Sequence, residues 1–384
     1  MKSRERFLLA LNRKITDRVP FDLRMSVPTI DLYEKKMGTR EVSEFVKADY
    51  RFSKVNPPDQ LHDFSKYFKG RVPFWPEGSW NDFVPELVPE STQPPYPHFF
   101  ILNSSTYINE WGEYRVFDPG GVYHRKIYPL QDIDCTIRDI EQYPFPDLSN
   151  EERYIGITDD IDDLHNKDLA AAVFMEMTIF EKAWRVRSME NLLMDMLNQP
   201  EVAECLFENI AIRMSTFARR YAEMGVDILC MGDDVGAETR MIMNPSLWRT
   251  QLKPYLKKVI AEAKLGNPNV LIYYHSDGKI DPIIPDLIEI GVDILNPIQP
   301  ETMDISEIKR KYGRNLSFWG GIGVQSTLPF GSPEDVDMAV KDLIEKAGEN
   351  GGLLVSPSHV VEQDVPWENI VAFLEAVKSY GIYE

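Results

Sequence analysis

From residue 170 onward the chain alternates short apolar runs with amphipathic helical stretches, and this rhythm limits what it can fold into. AAAVFME (170–176), DILCMG (227–232), VLIYYH (270–275), VDILNP (292–297), LSFWGG (316–321) and GLLVSPSH (352–359) read as buried strands. Each is separated from the next by helix. A long helical region follows the first run, through AWRVRSMENLLMDML and PEVAECLFENIAIRMSTFARRYAEMG. Helix 245–265 opens on Asn244 and Pro245, a good cap and a good first-turn residue. Two earlier segments, near residue 20 and at ADYRF (48–52), bring the strand count to eight. Strands that alternate with helices pair in parallel. Eight of them predict an α/β chain closed into a (β/α)8 TIM barrel, whose chemistry sits at the C-terminal strand ends. An open doubly wound sheet is the alternative, but no glycine-rich dinucleotide fingerprint follows the first strand.

Residues 55–130 break the rhythm. They are rich in proline, aromatics and turn residues, and they include two hairpin-like runs, FFILNSSTYINEWGEYRVFD and GVYHRKIYPL. This stretch reads as a long insertion or lid on one domain spanning 1–384. Trp75, Trp80, Phe99, Phe100 and Trp111 either line a pocket or form the insertion's own small core.

Charge narrows the functional classes. The chain has 61 acidic and 42 basic residues, a net charge of −19. Such a surface repels phosphate backbones and anionic membranes, so nucleic acid and membrane are not expected partners. The start, MKSRERFLLALNRK, does not read as a signal peptide, and no run approaches the roughly 20 apolar residues of a membrane span. Cys135, Cys205 and Cys230 are scattered, with no CxxC spacing. An odd, dispersed set suits a reducing compartment, so a cytoplasmic protein is expected.

Polar residues collect at the strand ends: Asp233, Asp234 and Glu238, then His275, Ser276 and Asp277, then Asn296 and Gln299, then Trp319, and finally Ser356, Ser358 and His359. His275 and Asp277 lie two apart, so extended backbone turns them the same way. With His359 from another strand they form a candidate three-ligand zinc site with one open position. The competing reading makes Asp277 a turn residue before Gly278 and leaves the histidines to hydrogen-bond. Asp233 and Asp234 form either an acid/base pair or a loop cap. Tyr274 and Trp319 are candidates for shaping the substrate pocket.

Four blocks carry a resemblance: SRERFLLALNRKITDRVP, YHSDGKIDPIIPDLIEIGVDILNPIQP, LSFWGGIGVQSTLPFGSPEDV and GGLLVSPSHVVEQDVPWENI. In order and spacing the chain resembles the uroporphyrinogen decarboxylase superfamily, including its corrinoid-dependent methyltransferase branch. The resemblance implies a distorted (β/α)8 barrel with its cleft at the C-terminal strand ends. The decarboxylases carry an RQAGR-type segment whose arginines hold the tetrapyrrole carboxylates. Here that stretch is LRMSVPT, with Arg24 alone, and the family's catalytic aspartate has no clear counterpart in RFSKVNPP. The late histidine does have one, His359. Methylcobamide:coenzyme M-type enzymes carry an HxC motif and a later cysteine as zinc ligands. His275 matches the first ligand, while Asp277 and His359 stand where the thiolates would be.

Carboxylate and imidazole in place of thiolate make a harder site, better suited to an oxygen donor than to a thiol. The expectation is a methyltransferase that moves a methyl group between a small substrate, such as a methyl ether, and a corrinoid. No DxHxxG-type cobalamin segment is present, so the corrinoid is expected on a separate protein. His275, Asp277 and His359 are the metal candidates. Asp233, Asp234 and Glu238 are the acid/base candidates, and Arg24, Tyr274 and Trp319 the substrate-binding ones. A homodimer is compatible with this reading. The alternatives are a decarboxylase acting on another acid and a binding subunit without chemistry.

Overall fold

A computed structural model of the chain describes residues 1–78, 80, 86–87, 98–116, 125–132, 134–175 and 177–383. Its strands in chain order are β1 (Tyr50–Phe52), β2 (Glu86–Leu87), β3 (Phe99–Asn103), β4 (Thr106–Asn109), β5 (Tyr114–Val116) and β6 (Arg125–Ile127). They continue with β7 (Ala170–Phe174), β8 (Ile228–Gly232), β9 (Leu271–His275), β10 (Ile294–Asn296), β11 (Ser317–Ile322) and β12 (Leu353–Pro357). Seven form one parallel sheet in the order β1-β7-β8-β9-β10-β11-β12. β8 and β12 are buried at every residue, which is why they read as unbroken apolar runs and not as alternating ones.

The sheet is strongly curled. Tyr50 lies on edge strand β1 and Trp319 on β11, near the opposite edge, yet their ring centroids are 5.0 Å apart. Tyr273 of β9 meets Trp319 at 5.3 Å, and Phe7 stacks on Tyr50 at 5.1 Å. A flat sheet could not bring these rings together, because neighbouring strands are about 4.8 Å apart. The eighth strand expected near residue 20 takes a different form. Phe21 and Met25 make isolated parallel bridges to Val355 and Val361, beyond β12. Pro20 accepts from the Val355 N–H but has no N–H of its own to extend a ladder.

The helix Ser3–Leu11 covers the N-terminal end of the curl. Arg4 donates to Asp227 (2.7 Å) just before β8, and Arg6 to Asp49 (2.8 Å) just before β1. Ser317 Oγ donates to the Leu11 carbonyl, and the Gly352 N–H to that of Ala10. One end of the curl is therefore plugged, and the polar C-terminal ends face the other way. The single helix expected over 245–265 is two, Pro245–Gln251 and Lys253–Gly266. Pro254 lacks the amide hydrogen that would continue the first helix. The Asn244 cap forms as expected, accepting from the Ser246 N–H.

The insertion is more regular than its composition suggests. β2 to β6 form an antiparallel sheet in sequential order. Its aromatics pack on each other: Trp75 stacks on Trp80 at 5.1 Å, Phe100 and Trp111 are buried, and Phe99 lies under Arg115. The parts of the insertion at 79, 81–85, 88–97 and 117–124 lie outside the described residues. Glu113 ties this sheet to the rest of the fold. Its buried carboxylate accepts from Arg115 (2.8 Å) and from Arg185 (2.9 Å) on the helix Phe180–Arg187.

Burial raises the Glu113 pKa, but the two guanidinium groups outweigh it and hold the carboxyl down at about 2. A carboxyl whose folded pKa lies below its unfolded value stabilises the fold above the unfolded pKa, and this is lost as pH falls through the folded one. Glu113→Ala is expected to cost about 3 kcal/mol near neutrality, because two guanidinium groups lose a buried counter-charge. The difference from wild type should shrink as pH falls from about 4.5 toward 2, as urea denaturation at stepped pH would show.

Candidate functional site

The parallel register fixes what meets at the open end of the curl. Gly232 of β8 and Asn296 of β10 lie on either side of His275, the last residue of β9. Gly232 has to be glycine: a Cβ there would run into the backbone carbonyl of His275. In the following loops a Cβ on Gly236 would strike the Asp277 carbonyl. The β8 and β9 loops are thus backbone against backbone, and this closeness delivers Asp234 to His275.

His275 Nε2 lies 3.5 Å from Asp234 Oδ1 and 3.9 Å from Asp277 Oδ1. One donor atom from each of these three residues lies within 4.8 Å of the others. The Asp277 N–H donates to Asp234 Oδ1 (2.8 Å), which locks the two loops together. On its other side, His275 Nδ1 is 2.5 Å from Asn296 Oδ1, and Asn296 Nδ2 donates to the Trp319 carbonyl at 2.6 Å. His359 faces His275 with ring centroids 6.4 Å apart. It stands in the mouth of the curl, reachable by water but with protein close around it. That enclosure lowers its pKa, assisted by His275 and Arg24 and opposed by Asp277 and Asp234, which favours the neutral imidazole.

The structure brings most of the residues named from sequence to one rim but groups them differently. The carboxylate that joins His275 and Asp277 is Asp234, read as an acid/base candidate, while His359 stands one step away. Asp233 points elsewhere: its buried carboxylate accepts from the backbone N–H groups of Thr178, Ile179 and Glu181 at 2.9–3.2 Å, capping the helix Phe180–Arg187. Burial nevertheless pushes its pKa up to about 6. Glu238 is exposed on the outer loop and makes no hydrogen bond or ion pair among the described residues. Tyr274 is fully buried, and its hydroxyl donates to the Asp233 carbonyl (3.3 Å). Strand alternation explains this: Tyr273, not Tyr274, shares a face with His275. Trp319 is also fully buried, packed with Phe7, Tyr50 and Tyr273 as the floor of the curl.

Arg24 does reach the interior. Its Nε is 3.5 Å from Asp22 Oδ2, beside Tyr273 and Tyr50. Burial works against its charge, yet Tyr273 and Asp22 raise its pKa above the ordinary arginine value. Two neighbours escaped the sequence reading. Glu181 Oε2 accepts from the Asp234 N–H (3.2 Å), and burial next to Asp234 and Asp233 raises its pKa. It lies 53 residues before Asp234, between the AAAVFME run and the helical stretch that begins AWRVRS. Asp22 was passed over as part of a short strand. Its burial raises its pKa despite Arg24 and the Tyr50 hydroxyl.

A family model described as uroporphyrinogen decarboxylase (URO-D) matches residues 134–380. That span includes Glu181, Asp234, His275, Asp277 and His359 but not Arg24. Among curated relatives, the chloroplastic uroporphyrinogen decarboxylase of Nicotiana tabacum is 26% identical over 181 residues, which is 47% of this chain and 44% of the relative. That of Trichodesmium erythraeum is 27% identical over 181 residues, 47% of this chain and 48% of the relative. The chain thus spans about half the length of the curated relatives it matches. A solved structure of a methyltransferase from Methanosarcina mazei superposes with a TM-score of 0.63 over 99% of both chains, at 16% identity. Identity this low establishes a shared fold and nothing finer.

Adjacent aspartates with such different surroundings should respond differently to mutation. Asp233→Ala strips the acceptor from three buried N–H groups and should cost about 2 kcal/mol or more in urea denaturation. Asp234→Asn keeps an oxygen for the Asp277 N–H and should stay within about 1 kcal/mol of wild type. Equal losses would mean that both carboxylates are structural.

Proposed function

Because the chain belongs to the uroporphyrinogen decarboxylase family, we propose that it is a methyltransferase of that family. In this reading it moves a methyl group between a small methyl ether and a corrinoid carried by a separate protein. The observation that carries the reading is the surroundings of His275 Nε2. A ring nitrogen and two carboxylate oxygens converge at 3.5 and 3.9 Å. Tetrahedral coordination with bonds of about 2.1 Å places donor atoms about 3.4 Å apart, so the spacing suits a small divalent cation such as zinc. All three donors are nitrogen or oxygen, a set that favours an oxygen substrate over a thiol.

His275, Asp234 and Asp277 would hold the cation, with His359 facing them across the mouth. When bound, a divalent cation supplies Lewis acidity toward the oxygen that the methyl group leaves, which matters because alkoxide and phenolate depart poorly. The residues around it bind and orient. Arg24 offers guanidinium N–H groups from below, and the rings of Tyr273 and Trp319 keep water from the floor. The first helix plugs the curl beneath, so in this reading a corrinoid protein approaches from the rim.

Two measurements test this. Reduced cobalamin mixed with the protein and a panel of methoxy compounds should become methylated, as followed by its absorption spectrum. Release of carbon dioxide from a carboxylated substrate without cobalamin, and no methyl transfer, would replace this reading by a decarboxylase. Purified protein should carry close to one divalent metal ion per chain, and His275→Ala should lose it. Full activity with sub-stoichiometric metal would remove the cation from the account.

A further inference from the structure

We infer that Asn296 is a positioning residue: its side-chain amide, oriented by the Trp319 carbonyl, fixes His275 in the tautomer that presents a bare Nε2 to a cation. The argument starts from the amide. The Trp319 backbone carbonyl can only accept, so the atom of Asn296 lying 2.6 Å from it must be the NH₂ group. The other end of the amide is therefore the oxygen, and it lies 2.5 Å from His275 Nδ1. An amide oxygen cannot donate, so Nδ1 carries the hydrogen. In a neutral imidazole that leaves Nε2 as a lone pair.

The orientation is well enforced. Asn296 is 1% exposed and cannot exchange its hydrogen bonds for water. Trp319 cannot yield, because its ring is wedged among Phe7, Tyr50 and Tyr273. The bare Nε2 points at Asp234 and Asp277, both acceptors. Three acceptors facing one point repel one another unless something positive lies among them. A histidine ligand whose other nitrogen is held by a hydrogen bond is a recurring device for fixing tautomer and raising ligand basicity. Here a neutral amide does the holding, anchored to the same ring cluster that holds the sheet curled.

The tautomer follows from the hydrogen bonds alone, whereas its consequence for metal affinity rests on the function proposed above. The experiment separates the two. Protein labelled with ¹⁵N-histidine, stripped of metal and held in mildly alkaline buffer, should show His275 with a protonated Nδ1 and an unprotonated Nε2, assigned by comparison with His275→Ala. Asn296→Leu should give mixed tautomers and bind cobalt(II) or zinc about 10–100-fold more weakly. The isosteric Asn296→Asp, whose acid proton can go to the Trp319 carbonyl, should stay within a few-fold of wild type. A protonated Nε2 in the wild type would overturn the inference, even if Asn296→Leu fails to fold. So would wild-type metal affinity in Asn296→Leu, or an Asn296→Asp that behaves like the leucine variant. Metal binding that survives His275→Ala would instead sink the proposed metal site and leave the tautomer assignment standing.

Discussion

Four aromatic rings on the axis of the curl hold this structure in shape. Phe7, Tyr50, Tyr273 and Trp319 come from the first helix and from strands at positions one, four and six of the sheet. Their contact requires the two sides of the sheet to approach each other. Once they do, the strand ends beyond the rings are drawn around the mouth of the curl. Aromatic pairs of this kind contribute about 0.5–1.5 kcal/mol each beyond the area they bury. The cluster also lies directly beneath the polar rim. Trp319 packs with it through its side chain and orients Asn296 through its backbone, so one residue takes part in both the core and the site.

The division of labour between neighbouring residues follows from elementary geometry. Asp233 and Asp234 are adjacent, so extended chain turns them apart. The first finds the N-terminus of a helix, where four unpaired N–H groups and the helix dipole welcome a carboxylate. The second is left at the edge of the cavity beside His275. Tyr273 and Tyr274 divide in the same way, one into the curl and one away from it. The site arises from strand alternation applied at several parallel strand ends, with two glycines allowing the loops to touch.

Much of this was legible in the residues. The apolar runs located the six later strands and ADYRF located β1, because strands buried on both faces need uninterrupted hydrophobic sequence. His275, Asp277 and Asp234 were recognisable as rim residues for the same reason. What escaped was whatever depends on contacts distant in sequence. Glu181 reaches Asp234 only because Asp233 pins the start of its helix. Asn296 was noted at a strand end, but its role depends on a carbonyl 23 residues away. Tyr274 was named as a pocket residue, but neighbours in a strand face opposite ways, and it is Tyr273 that shares a face with His275. The segment near residue 20 read as a strand on hydrophobicity, and Pro20 limits it to isolated bridges. The antiparallel insertion was under-read because prolines and turns crowd its strands.

The helix Phe180–Arg187 is held at both ends by different parts of the molecule. Asp233 secures its first turn, and its last turn carries Arg185, which Glu113 of the inserted sheet grips. The inserted sheet and the rim are therefore bolted to the same short rod. Anyone wishing to transplant this sheet onto a related scaffold, or to trim it away, should place the cut beyond that rod and not at the ends of the insertion. A graft that took residues 55–130 alone would take Glu113 away from Arg185, which also lies 3.9 Å from Glu181, and would loosen the support on which Asp234 stands.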